Sequence, residues 1–216
     1  MSTIQWIVDE GIGRLILNQP PSNTMTMNFF DELQEVVKVI TVTRNLKALI
    51  IYGNGRHYSS GADIAELLLN VDQQVMLENY RTFSRIEQMD IPVISAIRGV
   101  CLGSAFELAL FSHFRICAED AVLGLPESGF NIMPGIGGIQ RVAKLAGNAA
   151  ALEITLRGNT FRASEALSLG LVDIVVPKKE VLPLALNFAA LLPVKIDKEN
   201  RNIYLHKCLK PLHART

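Results

Sequence analysis

A chain of 216 residues with 49% apolar, 19% charged and 6% aromatic side chains can bury a full core without disulfide or metal staples, and its composition excludes disorder, collagen-like repeats and low complexity. Lysine plus arginine and aspartate plus glutamate number 21 each. The resulting zero formal charge lacks the broad basic field that nucleic acids and anionic membranes select, so neither is an expected partner.

In chain order, apolar-rich runs over residues 4–8 and 14–17 flank Asp9-Glu10-Gly11-Ile12-Gly13, whose turn chemistry predicts a β-hairpin. Phe29, Leu33, Val36, Val37 and Ile40 recur at the spacing of one helix face. Residues 48–52 (ALIIY) read as a buried strand, and a Gly/Ser-rich loop from Gly53 to Gly61 leads into a short helix starting at Asp63. Val75, Phe83, Ile86 and Met89 predict a longer helix that stops before Pro92, followed by a strand over 92–97 (PVISAI). Further helices are predicted over 104–112, 137–146, 148–156, 163–169 and 180–191, and strands over 114–118, 122–124 and 171–176. Strands alternating with helices predict an α/β domain.

Cys101, Cys117 and Cys208 fit neither a disulfide framework nor a zinc pattern and read as reduced thiols. His57, His113, His206 and His213 show no ligand spacing with one another or with the cysteines, so no metal site is expected. The first residues, Met1-Ser2-Thr3-Ile4-Gln5-Trp6, lack a basic start and apolar signal core. No apolar run approaches the ~20 residues that span a bilayer, so the cytoplasm is the expected location.

Glu107 lies in Ala105-Phe106-Glu107-Leu108-Ala109-Leu110-Phe111, where its i+3 and i+4 neighbours, Leu110 and Phe111, put the carboxyl on an apolar helix face. Burial would raise its pKa and suit it to proton transfer near neutrality; a helix-end glutamate reaching solvent or a salt bridge fits the pattern equally. Glu127, in the loop Gly124-Leu125-Pro126-Glu127-Ser128-Gly129, reads by itself as an ordinary loop glutamate. Gly61-Ala62-Asp63 and Gly103-Ser104-Ala105 are small-residue entries into helices. They are either tight turns or sources of two free backbone N–H groups for one oxyanion. Pro134-Gly135-Ile136-Gly137-Gly138 lacks the Lys-Ser/Thr ending of a phosphate loop, and Ser59, Ser60 and Ser104 lack a nucleophile elbow.

Taken together, these segments resemble the crotonase superfamily, the enoyl-CoA hydratase/isomerase family. The likeness is carried by Asn18-Gln19-Pro20, Asn23-Thr24-Met25, Ser60-Gly61-Ala62-Asp63-Ile64, the run from Pro92 to Gly99 and Gly103-Ser104-Ala105-Phe106-Glu107-Leu108-Ala109. It continues through Arg115-Ile116-Cys117-Ala118-Glu119, Gly124-Leu125-Pro126-Glu127, the run from Pro134 to Arg141 and that from Ala166 to Val172. The order is collinear from residue 4 to about residue 190.

The resemblance implies an α/β, crotonase-like (ClpP/crotonase) spiral of β-β-α turns with two roughly perpendicular sheets and flanking helices. Residues 1–177 would form the core and 178–216 a shortened C-terminal helical tail, in which residues 202–209 by their own pattern read as one short helix. It implies an acyl-CoA substrate, with coenzyme A as part of the thioester and no permanently bound cofactor. Ala62 and Ser104 would supply the oxyanion-hole N–H groups, while Ala62, Asp63, Ile64, Ala65 and Ser104 border the CoA thioester. Glu107 would deprotonate a water attacking Cβ, and Glu127 would give a proton to Cα. The same fold also carries isomerases, decarboxylases, thioester hydrolases and non-catalytic binders. A homotrimer or hexamer is implied, weakened here by the short C-terminal region. Ser104 and Ala105 replace glycines usual in the family, and His113 replaces an acidic residue.

Overall fold

The computed structural model describes residues 2–69, 72–193, 195, 204 and 205. β1 (Ile4–Asp9) and β2 (Ile12–Leu17) form the expected hairpin, antiparallel with Ile4 opposite Leu17. α1 (Met27–Val42) buries Phe29, Leu33, Val37 and Ile40 along one stripe, while Val36 stays half-buried at its margin. The Thr26 hydroxyl caps it, accepting from the Phe29 N–H at 3.3 Å.

β3 (Ala48–Gly53), α2 (Ile64–Leu69), α3 (Gln73–Gln88) and β4 (Val93–Ile97) follow. Next come β5 (Val100–Leu102), α4 (Ser104–Leu110), β6 (Phe114–Ala118) and β7 (Val122–Gly124). A 3-10 turn, Pro126–Phe130, precedes α5 (Gly138–Ala146) and α6 (Asn148–Arg157). β8 (Thr160–Arg162), α7 (Ala163–Ser168), β9 (Ile174–Val176) and α8 (Val181–Leu191) complete the order.

Two sheets organise these elements. The larger has the order β1-β2-β3-β4-β6-β9, parallel throughout after the opening hairpin; the smaller is β5-β7-β8. β4 and β6 lie in the large sheet, and the strands that directly follow them, β5 and β7, lie in the small one. This stepping from sheet to sheet is the β-β-α spiral. Strands buried on both faces read as continuous apolar runs, as ALII does in β3. α8 packs over β3, β4 and β6 through Val181, Leu184, Ala185 and Phe188, with Phe188 edge-on to Phe114 at 5.0 Å between ring centres.

The sequence pattern does not predict β5 and β8, which form by pairing on the two sides of β7. The strand expected over 171–176 is shorter at its start because the N–H groups of Leu171 and Val172 turn back to the Ala166 carbonyl, closing α7. Tyr204 and Leu205 are helical and half-buried against the core; the rest of the helix expected over 202–209, with Cys208, His206 and His213, lies outside the described residues. Cys101 and Cys117 are free and buried. Among the described residues no helix is long and apolar enough to cross a membrane.

Candidate active site

The turn from β5 into α4 is made by Gly103, whose φ of +52° excludes an ordinary side chain without strain. Its N–H donates to the Gly124 carbonyl at 3.0 Å and its C=O accepts from the Glu107 N–H at 2.9 Å. Ser104 is then the first residue of α4, where a backbone N–H has no intrahelical acceptor, and it meets none among the described residues.

Ala62 reaches the same condition by another route. It was expected to open a helix, but α2 starts at Ile64, with the Asp63 carboxylate accepting from the Glu66 N–H at 3.1 Å. Ala62 is extended and bridges Met25 in parallel. The Met25 N–H donates to Gly61 at 2.9 Å, and the Asp63 N–H donates to Met25 at 3.0 Å. Such a bridge uses the groups flanking Ala62, so its own N–H is left unbonded among the described residues.

Ala62, Ser104, Glu107 and Glu127 all line one cavity of about 270 Å³. Ile64 also reaches its wall, whereas Asp63 and Ala65 do not. Glu107 is 1% exposed, and its Oε1 accepts from the N–H groups of Ile136 at 3.0 Å and Gly138 at 2.8 Å. A Cβ on Gly138 would stand 2.7 Å from Glu107 Cγ, so only glycine admits this close approach. Burial pushes the Glu107 pKa up to about 7 against the pull of those two bonds and the Arg141 charge.

Glu127, on the 3-10 turn, is 7% exposed, and its Oε2 has no partner among the described residues. Its pKa is likewise pushed up to about 7, by burial first and then by the charge of Glu107. Burial raises both carboxyls toward neutrality, the range in which a carboxyl can take up and release a proton.

Several contributors carried no usable sequence signal. The Ile136 and Gly138 donors turn the glycine-rich 134–138 loop into a carboxylate cradle. Behind it, Arg141 stacks on the Phe111 ring, pairs with Glu87 and donates to the Gly137 carbonyl at 3.2 Å. His113 is structural: its Nδ1 accepts from the Val93 N–H at 3.0 Å, leaving Nε2–H to donate to the Glu87 carbonyl at 2.9 Å. His57 Nδ1 likewise accepts from the Val100 N–H at 3.0 Å.

The stepping of strands between two sheets is that of the crotonase class of α/β fold. Residues 8–204 match the enoyl-CoA hydratase/isomerase profile, and the chain belongs to that family. It is 39% identical over 178 residues to a Bacillus subtilis strain 168 protein named "Probable enoyl-CoA hydratase", covering 81% of this chain and 69% of that one. It is 36% identical over 190 residues to the fatty acid oxidation complex subunit alpha of Shewanella frigidimarina, covering 84% of this chain but only 27% of that much longer one. The crystal structure of enoyl-CoA hydratase from Bacillus anthracis superposes with a TM-score of 0.80 at 33% identity, over 87% of this chain and 75% of that one.

Proposed function

We propose that the protein adds water reversibly across the α,β double bond of an enoyl-CoA thioester. The observation that carries this reading is the pair of buried glutamates on one cavity, both with pKa pushed up to about 7. An isomerase needs one group to remove and return a proton, whereas hydration needs a base for water and an acid for Cα at once.

In the forward direction ionised Glu107 takes a proton from the water as its oxygen bonds to Cβ. The π electrons move toward the thioester, forming an enolate, and protonated Glu127 then gives its proton to Cα. The Ala62 and Ser104 N–H groups serve as donors to the enolate oxygen, each such donor lowering the barrier by about 3 kcal/mol. Coenzyme A enters only as part of the substrate, with no resident cofactor, and the cytoplasm is the proposed location.

Incubation with short and long enoyl-, β-hydroxy- and malonyl-type CoA thioesters, with products identified by mass and NMR, tests the reading. An enoyl substrate should gain one water at Cβ. Double-bond migration without mass change, loss of carbon dioxide or thioester cleavage would replace it.

A further inference from the structure

One polar side chain in the cavity has no part in this chemistry. Asn79 stands on the inner face of α3, one turn after Val75 and Met76, and lines the same cavity as both glutamates. It is 3% exposed, and its amide has no hydrogen-bond partner among the described residues. Thr82, almost one turn further along that face and equally buried, shows the contrast: its hydroxyl donates to the Glu78 carbonyl at 2.9 Å.

The cavity lining that Asn79 shares is largely apolar and includes Met27, Phe30, Leu67, Val75 and Met76. An amide enclosed by such groups is costly when unpaired and becomes useful when a ligand atom completes it. The attacking water does not need it. Glu107 commits only Oε1 to backbone donors and Glu127 leaves Oε2 bare, so the two carboxyls already offer oxygens to hold water. Among the described residues lining the cavity there is no Lys, Arg or His. A ligand carboxylate beside two glutamates would have no counter-charge, whereas a neutral oxygen suits an amide that both donates and accepts.

Resting on the enoyl-thioester reading, we propose that Asn79 binds a hydroxyl or carbonyl oxygen carried by the acyl chain beyond Cβ, so that the preferred substrates are oxygenated acyl-CoA thioesters rather than plain hydrocarbon ones. Calorimetric titration with unreactive saturated thioesters separates binding from turnover: hexanoyl-CoA against its γ-hydroxy, δ-hydroxy and δ-keto counterparts. The wild-type protein should bind at least one oxygenated thioester about tenfold more tightly than hexanoyl-CoA, the effect of one hydrogen bond. Asn79→Leu and Asn79→Ala, two sizes chosen to guard against a packing defect, should lose that preference while holding hexanoyl-CoA at least as well. Equal wild-type affinities for all four thioesters would overturn the proposal. So would variants that lose affinity equally for all, or that lose kcat equally on plain and oxygenated enoyl substrates, since Asn79 would then serve the water. If the wild-type protein hydrates no enoyl thioester, the reaction reading fails, and the binding preference still decides for or against Asn79.

Discussion

At Glu127 a bare Oε2, burial and the neighbouring Glu107 charge all disfavour ionisation. Its pKa is 4.5 in the absence of these effects and about 7 in the folded chain, so between those values the folded state binds the extra proton. The associated stability is fully present below the lower value and is lost as pH rises through about 7. Glu127→Gln should therefore unfold later than wild type above neutrality and match it at acid pH. Denaturant melts across this range would show it, and parallel pH slopes would contradict it. Glu107→Gln and Glu127→Gln should each lower kcat by about 10²–10⁴-fold with little change in substrate affinity. Gly138→Ala pushes on Glu107 Cγ, and steady-state kinetics should show a loss of about 10²-fold in kcat from that displacement. The apolar face around Glu107 was legible from Leu110 and Phe111 alone. Its cradle was not, because the Ile136 and Gly138 donors are backbone groups without a side-chain signature.

Among the elements, the start of α4 offers a clean separation of donor from fold. Proline is tolerated at the first helical position, so Ser104→Pro should retain the helix but delete the N–H. Steady-state kinetics should then show a fall in kcat of about 10²–10³-fold. Ser104→Gly should remain active, and a fully active proline variant would contradict the donor role. β6 is tied to the segment before β9 by Arg115, which is buried. It donates to the carbonyls of Leu171 at 2.8 Å and Ser112 at 2.6 Å, and pairs with Asp173 at 3.4 Å. Arg115→Met removes the counter-charge of Asp173 and the side-chain donors to Leu171 and Ser112, leaving Asp173 the Arg115 backbone N–H at 2.7 Å, and should cost about 3–5 kcal/mol in denaturant unfolding. Long amphipathic or apolar elements such as α1 and β3 were readable from periodicity. β5 and β8 form through pairing with β7, a long-range contact that local pattern does not carry.

At the scale of the molecule, periodicity indicates alternating strands and helices but not which sheet each strand joins. That division came from the collinear motifs, whose glycines mark the corners where the chain crosses between sheets, as Gly99 does between β4 and β5. Leu152 and Leu156 on α6 are 60% and 67% exposed, apolar surface of the kind that a subunit contact covers. A homotrimer or hexamer, the assembly that the family resemblance implies, would give three or six chain masses by light scattering, and a monomer would contradict it.

Water addition by the paired glutamates is read directly with isotope-labelled water. In heavy-oxygen, deuterated water the wild-type protein should convert an enoyl-CoA to a β-hydroxyacyl-CoA carrying the heavy oxygen at Cβ and deuterium at Cα. Both glutamine variants should slow the two incorporations together. Deuterium appearing in the acyl chain with no heavy oxygen at Cβ, or undiminished hydration by either variant, would contradict water addition by this pair.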